Sequence, residues 1–222
     1  MTVINTGVFR SRQIVEDDRL QTLLNSLTLD QIRAALLSLA PQRRLSLKAH
    51  KEAETTLLKT NRSLTDIETV LLETESETPF KHCVFVRLSG TNVQDRISSF
   101  ELDEQAQGAF GLRAVFVRKF ESCVSVTFEH SVKVREWKEV STESRKVRHD
   151  TLRHPIVVRL YPTQGIAAFF YPGFSQGNAT QRWESIDYRD VIADVMAHLE
   201  AKLAVSFFPL PTRECVKIFV EG

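Results

Sequence analysis

The chain has 222 residues, of which 42% are hydrophobic and 26% charged, a composition that supports a packed core and excludes global disorder. Its formal net charge of +1 marks it neither as a nucleic-acid binder nor as a membrane-surface binder, so any such signal has to be local. No run of about eighteen apolar residues occurs, which excludes a helix that spans a membrane.

The first eighteen residues, MTVINTGVFRSRQIVEDD, lack the apolar centre of a signal peptide. In SLTLDQIRAALLSLA, Thr28 with Gln31 three positions on predicts a capping box, and Leu29, Ile32, Leu36 and Leu39 recur at helical spacing up to Pro41. A second helix is predicted over about 46–59. A third is expected to open with Thr65 and Glu68 as its capping box, with Ile67, Val70 and Leu71 on its apolar side. The acidic stretch ETESETP, 73–79, reads as the join between this helical unit and the rest of the chain.

From residue 80 the period changes to two. HCVFVRL (82–88) and LRAVFVRKF (112–120) have strand length, and Val124, Val126, Phe128, Val132 and Val134 alternate with polar residues. Such alternation gives one buried and one solvated face, the pattern of an antiparallel sheet. IVVRLYPTQGIAAFFYP, 156–172, predicts a hairpin turning at Pro162–Gly165. Tyr188, Val191, Ile192, Val195, Met196, Leu199 and Leu203 then mark an amphipathic helix that packs on the sheet, and CVKIFV, 215–220, reads as a last strand. The expected fold class is α+β: a helical N-terminal unit over 1–77, then a mainly antiparallel sheet of about five to seven strands with one long C-terminal helix packed on it over 78–222.

Several short motifs invite enzymatic readings. Gly173-Phe174-Ser175-Gln176-Gly177 spells the G-x-S-x-G pattern of serine hydrolases, but no helix pattern follows at once, as a nucleophile elbow needs. The only later histidine, His198, falls next to the apolar stripe of the long helix, so Ser175 reads as a loop hydroxyl. His149, Asp150 and His154 carry metal-ligating groups, yet their spacing misses a helical i, i+4 pair and no second cluster completes a shell; a polar loop or helix end is expected there, and no metal. Neither G-x-G-x-x-G nor a P-loop occurs, so no nucleotide cofactor is expected. Cys83, Cys123 and Cys215 are scattered and form no C-x-x-C pair, which predicts a reducing compartment, cytoplasmic or nuclear.

Glu136-Trp137-Lys138 carries a different chemistry. A carboxylate and a lysine two apart on a strand share a face, where one can hold a divalent metal and the other polarise a water or phosphate. The order helix, three strands, helix, strand over about 63–161 resembles the core of restriction-type nucleases, with 141–153 as the helix after Glu136 and Lys138. The resemblance implies an aspartate on the preceding strand; LRAVFVRKF has none, and Asp103 lies before it.

Two stretches are locally basic. Within 41–62, Arg43, Arg44, Lys48, Lys51, Lys59 and Arg62 oppose only Glu52 and Glu54. Within 133–153, Lys133, Arg135, Lys138, Arg145, Lys146, Arg148 and Arg153 oppose Glu136, Glu139, Glu143 and Asp150. Such side chains hold phosphate backbones by counterion release and hydrogen bonding. The helix pair with its basic connection, LTLDQIRAALLSLAPQRRLSLKAHKEAETTLL, resembles a SAP module, and the order of helices, hairpins and C-terminal helix is similar to that of centromere-protein N-like subunits. The leading expectation is a non-catalytic binding subunit that contacts nucleic acid through both stretches. Its alternatives are a protein–protein assembly subunit of a larger complex and a metal-dependent nuclease using Glu136 and Lys138.

Overall fold

The computed structural model describes residues 19–41, 50–60, 62–77, 82–102, 112–141, 144–171 and 188–211. Helices and an antiparallel sheet make the fold α+β. The chain divides into two compact units, Met1–Thr78 and Pro79–Gly222. Among the described residues no helix is long and apolar enough to cross a membrane.

The first unit holds α1 (19–26), α2 (Leu29–Leu39), α3 (His50–Leu58) and α4 (Leu64–Glu77). Short helices are marginal alone and stand by burying their apolar sides against each other. Leu24, Ile32, Leu36, Leu57, Ile67 and Leu71 are fully buried here. The capping box at Thr28 forms as expected: the Gln31 amide donates to Thr28 Oγ1 at 3.3 Å, and the Thr28 amide donates to Gln31 Oε1 at 2.7 Å. Helix α4 starts one residue before Thr65, because Ser63 takes the capping role and its Oγ accepts from the Asp66 amide at 3.1 Å. Its end also differs from expectation, since 73–77 is helix and not a join. Thr74 and Ser76 turn their hydroxyls back onto the carbonyls of Val70 (2.8 Å) and Glu73 (2.7 Å), so their polar groups are satisfied inside the helix.

The second unit is a six-stranded sheet in the order β2-β3-β4-β5-β1-β6, every neighbouring pair antiparallel. Its strands are β1 (His82–Ser89), β2 (Arg113–Lys119), β3 (Val124–Ser141), β4 (Ser144–Tyr161), β5 (Ile166–Tyr171) and β6 (Ser206–Pro209). Helix α5 (Val93–Ser98) follows β1, and α6 (Tyr188–Leu203) precedes β6. The predicted hairpin turns at Pro162–Gly165, where Gly165 has φ +63°, a conformation that an L side chain strains. Residues 215–220, expected as a strand, lie outside the described residues.

One face of the sheet carries Val126, Phe128, Ile156, Val158, Leu160 and Phe169, and Val195, Leu199 and Leu203 of α6 pack against it as the stripe predicted. His198 meets the Phe128 ring edge-on, with centroids 5.6 Å apart. The C-terminus of α6 is closed by Arg96, which donates to the carbonyls of Leu203 and Ala204, each at 3.0 Å. A cation there answers both the open carbonyls and the negative end of the helix dipole.

Candidate nucleic-acid interface

Strands β3 and β4 are each 18 residues long, far more than β2 or β5 needs as a partner. The β2 ladder ends at Arg113–Glu129, and the β5 ladder ends at Val157–Phe170. From His130–His154 to Ser141–Ser144, β3 and β4 pair only with each other among the described residues. Eleven steps at about 3.3 Å make this two-stranded arm about 35 Å long. Pro155 marks its root, at a position of β4 that β5 no longer pairs. A proline, having no N–H to donate, is tolerated where one side of a strand is an edge.

The arm overturns two expectations. Residues 141–153 were expected as the helix of a nuclease core, and 149–154 as a loop or helix end; residues 144–154 are instead strand. Val147 and Thr151 are β-branched and fall in register with the alternating β3, so pairing outweighs the helix-compatible charges around them. The helix that the nuclease resemblance requires after Glu136 and Lys138 is therefore absent. Glu136 stands opposite Arg148, and Lys138 opposite Lys146. Strand β2 carries no aspartate, and Asp103 lies outside the described residues. Among the described residues no group of three His, Cys, Asp or Glu is placed to hold a metal ion. Ser175 also lies outside them; β5 ends at Tyr171, as the hairpin reading expects.

What the arm brings together is the second basic stretch. Lys133, Arg135 and Lys138 stand on β3, and Arg145, Lys146 and Arg148 on β4, three on each strand. The first stretch is less complete. Arg43, Arg44 and Lys48 are outside the described residues, Lys51 lies in α3, and Lys59 and Arg62 are exposed between α3 and α4.

At the root of the arm lies a charge cluster that sequence reading missed. Glu129 is buried between Arg113, which pairs with its Oε1, and Arg153, whose Nε donates to its Oε2 at 2.8 Å. Burial alone would raise the Glu129 carboxyl. The charges and hydrogen bonds of Arg153 and Arg113 outweigh it and hold the group below the usual carboxylate range. Arg153 thus belongs to an internal ion pair, and the six other basic residues of its stretch stand on the arm, with Arg148 opposite Glu136 and Arg145 opposite Glu139. The available signal was Glu129 itself, an acid within the alternating run of β3 where its neighbours Ser125 and Thr127 are neutral.

The sheet face away from α6 continues from this cluster. Arg118, opposite Ser125, lies over the Phe120 ring at 4.9 Å, and Arg159, also opposite Ser125, lies over Phe170 at 5.1 Å. Ser125 Oγ between the arginines, and Thr127 Oγ1 two residues along β3, are buried with no hydrogen-bond partner among the described residues. A buried hydroxyl without a partner costs free energy, so Thr127→Val should stabilise the protein by about 1 kcal/mol. Thermal melts test this, and a lowered Tm would show that the hydroxyl has an important partner. Cys83 is exposed and Cys123 buried, and neither is in a disulfide. Burial pushes the Cys123 thiol up, against the opposing pull of Arg159 and Ser122, which makes it a poor nucleophile.

Comparison of the chain with protein-family models, curated proteins and solved structures finds no match.

Proposed function

We propose that this protein is a non-catalytic binding subunit that contacts nucleic acid through the β3–β4 arm. The observation that carries the reading is the arm itself: about 35 Å of two-stranded ribbon on which six basic residues stand, three per strand. The extension runs past the partners that β2 and β5 supply. Basic residues on both strands of such an extension are suited to hold the phosphates of a polyanion. The exposed Lys59 and Arg62 of the first unit belong to a second basic stretch that the same reading assigns to nucleic acid.

The test is direct titration of the intact chain against a fluorescein-labelled 20-mer at about 50 mM salt, where phosphate contacts are strongest. Saturable binding that weakens steeply with added salt is expected. Absence of binding at that salt would sink the reading.

One observation favours protein assembly as a second reading. Phe208 is 50% exposed on β6, whose outer edge carries no partner strand among the described residues. Open edges with an exposed apolar side chain accept partner strands. A stoichiometric protein recovered by pull-down, and lost with Phe208→Asp, would support that reading; recovery indifferent to the substitution would count against it.

A further inference from the structure

A two-stranded antiparallel ribbon is one of the few protein elements that fits the major groove of B-form DNA, about 12 Å wide. The arm has this shape, and its backbones lie about 4.8 Å apart. Its basic residues occupy both strands, three on each. The register sets Lys138 directly opposite Lys146, with the pair Glu136 and Arg148 two positions along the ribbon.

The arm's sequence also discriminates between nucleic acids. Single strands are gripped by successive aromatic side chains on which bases stack. From Ser131 to His154 the chain has one large aromatic residue, Trp137. Duplex RNA is closed to a ribbon in another way, since the major groove of an A-form helix is deep and narrow.

From these features we infer that the β3–β4 arm enters the major groove of duplex DNA. The inference rests on the reading that the arm binds nucleic acid, and names its substrate class. At about 3.4 Å per base pair, an arm of about 35 Å lies along about ten base pairs, one helical turn. Six cationic contacts set an upper limit of about 5 for the fall of log K with log salt on duplex DNA.

The experiment uses the intact chain and three probes of one sequence: a 20-base-pair DNA duplex, its single strand and the matching RNA duplex. Affinity is read by anisotropy, and groove occupancy by dimethyl sulfate, which methylates guanine N7 in the major groove and adenine N3 in the minor groove. The DNA duplex is expected to bind at least about tenfold more tightly than either other probe, with N7 protected over about ten base pairs and N3 still reactive. Lys138→Ala with Lys146→Ala should abolish the N7 protection at probe concentrations that saturate the parent chain. Equal or tighter binding to single-stranded DNA or to the RNA duplex overturns the inference but leaves arm-mediated nucleic-acid binding standing. Protection of N3 with N7 open does the same. No binding of any probe at about 50 mM salt overturns both.

Discussion

Replacement of Arg145, Lys146 and Arg148 by alanine is expected to weaken nucleic-acid binding by roughly two to three orders of magnitude at about 0.1 M salt. Each lost phosphate contact removes about 0.9 from the slope of log K against log salt on duplex DNA, so three contacts remove close to 3. All three residues lie on β4 beyond the last β5 pairing, where only β3 pairs with them among the described residues. The fold should therefore survive, and a thermal melt within a few degrees of the parent chain is part of the expected result. Arg145→Lys with Arg148→Lys is the control: positive charge is retained, and most of the salt slope should return. An unchanged slope in the alanine variant would show that phosphates meet the protein elsewhere.

The second large effect concerns stability. Glu129→Gln should cost about 3 kcal/mol, because it leaves the cation of Arg153, 3% exposed, without its carboxylate in a desolvated site. Arg113, 39% exposed, loses less, since water takes up part of its charge. For a chain of this size the loss corresponds to a fall in Tm of roughly 10 °C. The pH dependence follows from the direction of the shift. Glu129 has a carboxyl held below its unfolded value of about 4.3, so its contribution is complete above that value. It is lost as the pH falls through the lower, folded value. The stability gap between the parent chain and Glu129→Gln should accordingly be full at neutral pH and close on acidification below the ordinary carboxylate range. A gap that stays constant down to strong acid would mean that Glu129 acts by shape rather than by charge. Pairing Glu129→Gln with Arg153→Met should recover part of the loss, because an apolar side chain carries no charge to desolvate.

The residues that read correctly from sequence are those whose neighbours are local or whose period is long. The α6 stripe of Val191, Val195, Leu199 and Leu203 repeats over four turns, and the Thr28–Gln31 box is complete within four residues. Gly165 could be placed because a two-arm hairpin needs a residue tolerant of positive φ at that point. Failures came where a distant strand decides. Residues 144–154 have charges and spacing that suit a helix, and only their register against β3 makes them strand. The short β6 was not foreseen, since Ser206–Pro209 has four residues and owes its form to pairing with β1. The candidate site divides in the same way. The basic character of 133–148 was legible residue by residue, but the gathering of six basic residues on one ribbon depended on the pairing of β3 with β4. The role of Arg153 was not legible at all, because its partner lies 24 positions away in the chain.

The central claim is that the arm is a binding element and not a structural one, and removal of the arm tests it most directly. Residues 133–151 are replaced by Asn-Gly, a pair suited to a two-residue hairpin turn between the partnered Val132 and Leu152. The shortened chain keeps the Glu129 cluster, the six-strand order and the α6 core. Measured beside the parent chain at about 50 mM salt, it is expected to keep a cooperative melt at a similar temperature and to bind the 20-mer at least about a hundredfold more weakly. Undiminished binding by the shortened chain would contradict the account, and so would loss of the folded state together with the arm.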